Sequence, residues 1–130
     1  MEIGRRYIRK TFIKHDVVGK PTPFCHTEDG IPVYYKTTYY KLICREDSTD
    51  SIRKVDPQRV RRLHWIKHII CGDANNVLMK DDSDKRRYFI KPLKYLIVLK
   101  HHKNELQLIT AYWITERGEY ERVCKQVGLK

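Results

Sequence analysis

The stretch Tyr88–Thr115, YFIKPLKYLIVLKHHKNELQLITAYWIT, constrains the fold of this chain more than any other. It reads as three strands joined by short turns. Tyr88 to Lys91 is a short first strand, and Pro92, with no N–H to donate to a ladder, sets a bulge or break before Lys94 to Lys100. In that second strand Tyr95, Ile97 and Leu99 alternate with Leu96 and Val98, the pattern of a central strand covered on both faces. His101-His102-Lys103-Asn104 makes the turn, and Glu105 to Thr115 returns. Alternation puts Leu106, Leu108, Thr110, Tyr112 and Ile114 on one face, with Gln107, Ile109, Ala111 and Trp113 on the other.

Two helices flank this meander. Upstream lies RVRRLHWIKHII (Arg59 to Ile70), entered through Asp56, which can cap the first free amides, and Pro57, which fits the first helical position. Gly72 suits the left-handed residue that ends it. On a helical wheel Val60, Leu63, Ile66 and Ile70 form the core stripe, with Ile69 on its margin. Arg61, His64 and His68 share the opposite face, while Arg59 and Arg62 sit at the boundary, stems buried and heads wet. Downstream, Arg117 to Val127 is amphipathic through Tyr120, Val123, Cys124 and Val127 and is placed to close an edge of the sheet.

The first third is less regular. Arg6 to Lys14 alternates apolar with basic residues and suits a strand; Val17 to Gly30 is a loop ending in a turn at Asp29-Gly30. Ile31 to Cys44 is rich in Tyr, Thr and Ile, giving one bent strand or a hairpin around Lys36 to Thr38. Arg45 to Lys54 reads as an internal linker. The expected architecture is α+β in a single domain over 1–130: residues 1–54 as accessory N-terminal strands and loop, then 55–130 as a basic helix packed on a small antiparallel sheet with a C-terminal helix.

Charge narrows the partners. The chain has 27 Lys and Arg against 16 Asp and Glu, a formal net charge of +11, which attracts polyanions and nucleic acid first. Cys25, Cys44, Cys71 and Cys124 are scattered without zinc spacing, so four free thiols in a reducing compartment and no bound metal are expected. No apolar run reaches the roughly 18 residues of a membrane span, and MEIGRRYIRK has no secretory h-region. The expected setting is the cytoplasm.

R-V-R-R-L-H-W-I (Arg59 to Ile66), Tyr88-Phe89-Ile90 and L-I-T-A-Y (Leu108 to Tyr112), in this order, resemble the barnase–EndoU–colicin–RelE class of nucleases. The likeness covers roughly residues 55 to 115 and is nearest to the phage- and mobile-element-borne branch, also used as toxin tips in bacterial contact-dependent inhibition. It implies a helix packed on a four- or five-stranded antiparallel sheet and RNA cleavage without metal or cofactor. Arg59 and Arg62 match the arginines of the class, and Thr110 and Tyr112 carry over from its T-A-Y strand.

Such cleavage is a transesterification: the ribose 2′-hydroxyl loses its proton, attacks phosphorus and expels the 5′-oxygen. It needs an acid and a base near neutrality and cations at the phosphorane. His64, beside Arg61 on the basic helix, is the first choice of base; Arg61, Lys67, His68, Lys91, Lys94, His101 and His102 are candidate phosphate ligands. Many relatives anchor the site on an isolated His, whereas five of the six histidines here sit in or beside regular elements. Two alternatives stand beside an endoribonuclease. One is a non-catalytic RNA- or DNA-binding module. The other is a phage or mobile-element interaction domain whose basic face meets an acidic host protein, antitoxin or immunity protein.

Overall fold

The computed structural model of the chain describes residues 2–36, 42–46 and 53–128. Among them the fold is α+β, as expected. A curled six-stranded sheet carries the order β3(Cys25–His26)-β4(Pro32–Tyr35)-β10(Glu105–Trp113)-β9(Tyr95–His102)-β8(Lys85–Ile90)-β7(Val77–Asp81). The run from β7 to β10 is an antiparallel meander, and β4 joins β10 in parallel through Val33, Tyr34 and Tyr35 opposite Leu106, Gln107 and Leu108. Pro92 falls in the turn between β8 and β9, where Lys94 takes φ +53°. Strand β7 was not legible in VLMKD, whose lysine and aspartate dilute the apolar alternation.

The N-terminal expectations need correction. Arg6–Lys14 is not a strand: helix α1 spans Glu2–Thr11. Over so short a segment both periods fit, and the four-residue spacing of buried Gly4, Ile8 and Phe12 wins. Phe12 sits 4.8 Å from Phe24, edge to face, and 6.2 Å from Tyr35 in a stack, tying α1 to β4. The loop after it holds a two-stranded pair, β1(Lys14–His15) with β2(Pro21–Thr22). Gly30 adopts φ +87° after β3, as its turn demands. Arg45–Lys54 is not a linker at its ends, because β5(Cys44–Glu46) pairs with β6(Arg53–Val55). The hairpin expected around Lys36–Thr38 lies largely outside the described residues.

The basic helix is two helices. Asp56 caps α2(Pro57–Arg61) by accepting from the Gln58 amide at 2.9 Å, with Pro57 first inside. The chain then breaks at Arg62, φ −101° and ψ 6°, before α3(Leu63–Ile70). The Arg62 carbonyl accepts from the Tyr95 hydroxyl at 3.4 Å, outside the helical ladder. Helix α3 ends in a Schellman arrangement: Gly72 takes φ +85°, its amide reaches Ile69 O at 3.3 Å, and the Asp73 amide reaches His68 O at 2.9 Å.

The sheet separates two apolar clusters. On one side Leu63, Ile66, Ile69 and Ile70 of α3, Ile8 of α1 and Phe12 just after it pack on Tyr88, Ile90, Tyr95, Ile97, Leu99, Leu106, Leu108 and Ala111. Ile69 is therefore core rather than margin. Because Ile8, Phe12, Phe24 and Val33 share this cluster, residues 1–54 supply part of the main core and part of the sheet. On the other side α4(Arg117–Gln126) lays Val123 over Phe89, Leu96 and Ile114. It covers a face of the sheet rather than closing an edge.

Strand β10 does not alternate throughout. The ladder shifts between Leu108, opposite Leu99, and Thr110, opposite Val98, so Ile109 is the extra residue of a bulge. Leu106 and Leu108 consequently face the α3 side, whereas Thr110, Tyr112 and Ile114 face the α4 side. The five residues expected on one face are divided between two.

Candidate functional site

Register determines which side chains share a face, since directly opposed residues project to the same side and the side alternates along each strand. On the α4 side, four rows run across the strands. Leu78, Phe89, Leu96 and Tyr112 form the row beneath α4. Next come Lys80, Arg87, Val98 and Thr110, then Lys85, Lys100, Gln107 and Tyr34, and finally the pair His102 and Glu105 beside the β9–β10 turn. Helix α4 covers the first row, while Lys80, Lys100 and His102 are exposed and the polar residues between them half-buried.

Among the described residues, this half-face beyond α4 gathers four cations, a hydroxyl, a carboxamide, an aromatic ring and a His/Glu pair. Lys36 Nζ lies 5.9 Å from the Tyr34 ring centroid, adding a cation beside the ring. Arg87 Nη1 donates to Asp82 Oδ2 at 2.8 Å, an ion pair at the rim of the face. The sequence signal for these residues was present but unread: K-R-R-Y-F is an alternating strand once its register is known.

The expected site residues divide. Arg59 Nη1 donates to Cys44 O at 2.6 Å, and its guanidinium lies 5.1 Å from the centroid of Tyr112, so α2 and the T-A-Y strand do meet. Burial lowers the pKa of Arg59, against the opposing pull of Asp56 and Tyr112. Burial likewise raises that of Tyr112, with the neighbouring Glu119 carboxylate adding to it, so this phenol is a hydrogen-bond donor near neutrality and not a base. Arg62 lies between two indoles, 5.2 Å from Trp65 and 4.7 Å from Trp113, and donates to the Gln58 side chain at 2.7 Å. Thr110 and Tyr112 share a face, as expected.

His64 does not join them. It is exposed on α3, on the far side of the sheet, with its ring against the edge of Trp65 at 6.2 Å. Arg61, Lys67 and His68 are exposed on the same helices. Lys91 and Lys94 are exposed in the β8–β9 turn, Lys94 Nζ lying 5.3 Å from the Tyr120 ring centroid.

His101 projects to the side opposite His102 and lies 2.8 Å from Asp81 Oδ1 through Nε2. There it borders a clasp of half-exposed carboxylates around a buried arginine. Arg86, 3% exposed, donates to both oxygens of Asp29 at 2.9 and 3.0 Å, to both of Asp81 at 2.8 and 2.9 Å, and to the Tyr88 hydroxyl at 3.2 Å. Hydrogen bonds from Arg86, then from Thr27, hold Asp29 well below the usual carboxylate range. Every acceptor is satisfied within the fold, so the clasp fastens the β3–β4 turn to β8 and β7.

Among the described residues no group of three or more His, Cys, Asp or Glu side chains is placed to hold a metal ion, and no helix is long and apolar enough to cross a membrane. The four cysteines are free thiols. No family model matches the chain, and neither a curated protein nor a solved structure matches it.

Proposed function

We propose that this protein is an endoribonuclease that cleaves single-stranded RNA by 2′-hydroxyl transesterification on the uncovered half of its sheet. The observation that carries the reading is the register of β7 to β10, which sets Lys80, Lys85, Arg87 and Lys100 beside Thr110, Gln107, His102 and Glu105 on one face. Opposed side chains lie about 5 Å apart and successive rows about 7 Å apart, so long side chains from neighbouring rows can surround one phosphate. Lys85, Lys100 and Arg87 offset the charge gained by the phosphorane, and Thr110 and Gln107 donate to its oxygens. Glu105 takes the 2′-proton and His102 returns one to the leaving 5′-oxygen. Tyr34 offers a ring on which an unpaired base can stack. In this reading Arg59 and Arg62 brace α2 against β10, and the exposed helix cations attract the polyanion at longer range.

The test is incubation of purified protein with RNA in EDTA, followed by analysis of the fragment ends. The expected products carry 2′,3′-cyclic phosphate. His102→Ala and Glu105→Gln should fold normally and cleave at least ~10²-fold more slowly. Binding without cleavage by the wild-type chain would instead establish the non-catalytic RNA-binding module.

A further inference from the structure

We infer that the tip of the β1–β2 hairpin, where Val17 and Val18 stand in front of Lys14 and Lys20, docks on an anionic lipid surface. The inference is independent of the reading of RNA as the substrate.

Residues Asp16 to Lys20 connect β1 to β2 in a closely bonded turn. The Gly19 amide donates to Asp16 O at 3.0 Å and the Asp16 amide to Lys20 O at 2.9 Å. Asp16 Oδ1 accepts from the Val18 and Lys20 amides at 2.9 and 3.0 Å. Gly19 takes φ +82° to turn the chain back. Asp16 at the first position and Gly19 at the fourth are what such a turn favours, and the positions between them are ordinarily filled by polar or small residues. Here both are valine, 103% and 83% exposed. Single exposed apolar residues are ordinary on a protein surface. Two adjacent ones at the apex of a hydrogen-bonded turn form an apolar point held in place.

The charges behind the apex identify the partner. Lys14 precedes Val17 by three residues, Lys20 follows Val18 by two, and both lysines are exposed. At about 3.3 Å per extended residue, their Cα atoms stand roughly 7–10 Å back from the point. Lys14 Nζ donates to Lys10 O at 2.8 Å, which adds Lys10, also exposed, to the same collar. Asp16, the acidic residue of the tip, is directed inward to the turn amides. A bilayer with acidic headgroups presents negative charge outside and hydrocarbon beneath, and an interfacial segment sinks its apolar part by about 5–10 Å. The hairpin presents the matching order, valines first and ammonium groups behind. The net charge of +11 draws the whole molecule to such a surface. A convex apolar point also needs no shaped pocket where the receiving surface is fluid. The hairpin follows α1, which packs on the side of the sheet opposite the cationic half-face, so lipid and RNA meet different surfaces.

The test is flotation of the wild-type chain with vesicles of phosphatidylcholine containing about 30% phosphatidylserine, at roughly 0.15 M salt. Val17→Ser with Val18→Ser keeps the charge and alters only exposed side chains. Its circular dichroism and melting should match the wild type, while vesicle affinity falls at least about tenfold. Lys14→Gln with Lys20→Gln should weaken binding more than Arg61→Gln with Lys67→Gln, which removes the same charge from the helices. Equal affinity of the wild type and the double serine variant would reduce the interaction to net charge and overturn the inference, assigning the valines to a concave protein surface instead. It is also overturned if the wild type fails to float, if the two glutamine pairs weaken binding equally, or if vesicles of phosphatidylcholine alone bind as strongly. RNA cleavage is read separately. Valine-dependent docking by a protein that leaves RNA intact would remove the nuclease reading and keep the lipid surface.

Discussion

Arg86 and Arg87 are neighbours in sequence and lie on opposite faces of β8. Arg86 is enclosed by two aspartates and a tyrosine on the side packed under α1 and α3; Arg87 stands on the half-face that α4 leaves uncovered. One guanidinium has every nearby acceptor satisfied by the fold. The other shares its face with lysines, a hydroxyl and a His/Glu pair. The same contrast separates the basic helices from the cationic sheet face. Both carry positive charge, but the helices hold Arg61, His64, Lys67 and His68 around a solvated surface, whereas the sheet brings residues from four strands together. Cationic density along a sequence locates attraction; convergence of different chemical groups comes from the pairing of segments distant in sequence.

The largest effect should come from stranding Arg86. Asp29→Ala with Asp81→Ala leaves the Tyr88 hydroxyl as the remaining partner of the Arg86 guanidinium; because the two carboxylates are 51% and 38% exposed, water offsets part of the loss, and chemical denaturation should show about 3 kcal/mol. A loss under about 1 kcal/mol would mean that water or another carboxylate reaches Arg86 and that the two faces differ less than described.

A core change on the helical side comes next. Leu63→Ala should lower stability by about 2–5 kcal/mol, while Arg61→Ala on the exposed surface should stay within about 0.5 kcal/mol.

Arg87→Ala should lower stability by about 1 kcal/mol, through the packing of a side chain that is 15% exposed rather than through its half-exposed Asp82 partner, yet slow cleavage at least ~10²-fold, close to 2.7 kcal/mol in the barrier. His64→Ala should keep the rate within a few-fold. If His64→Ala abolished cleavage in a folded protein while His102→Ala did not, the helix would be the catalytic surface and the comparison would invert.

Acid should act through the clasp. Hydrogen bonding to Arg86 is the first cause that holds Asp29 and Asp81 below their unfolded values, near 3.9. Their contribution is therefore complete above that pH and lost as pH falls through the folded values. Acid titration of Arg86→Leu, followed by circular dichroism, should show a weaker loss of stability below about pH 4 than the wild type. The smallest effect is on salt dependence. Lys100→Ala should reduce the slope of log K against log salt for single-stranded RNA by about 0.7, one phosphate contact.

Local signals in the chain were sufficient for several elements. Asp56-Pro57 opens α2, Gly72 ends α3, Pro92 interrupts the strands, and α4 runs over Arg117–Gln126. The first three depend on the conformational limits of one or two residues and α4 on its apolar periodicity, all local signals, which is why sequence alone determined them, together with the α+β class and the positive field. Tertiary structure decided the rest. Whether RYIRKTFIK became helix or strand depended on Phe24 and Tyr35, distant in sequence, being there to receive Phe12. The bulge at Ile109, which turns Thr110 and Tyr112 away from α3, arises from pairing with β9 and leaves no mark in ELQLITAYW. Arg86 and Arg87 were equivalent letters until pairing assigned one to the core and the other to the open face, because a strand's two sides differ only in what the rest of the chain packs against them.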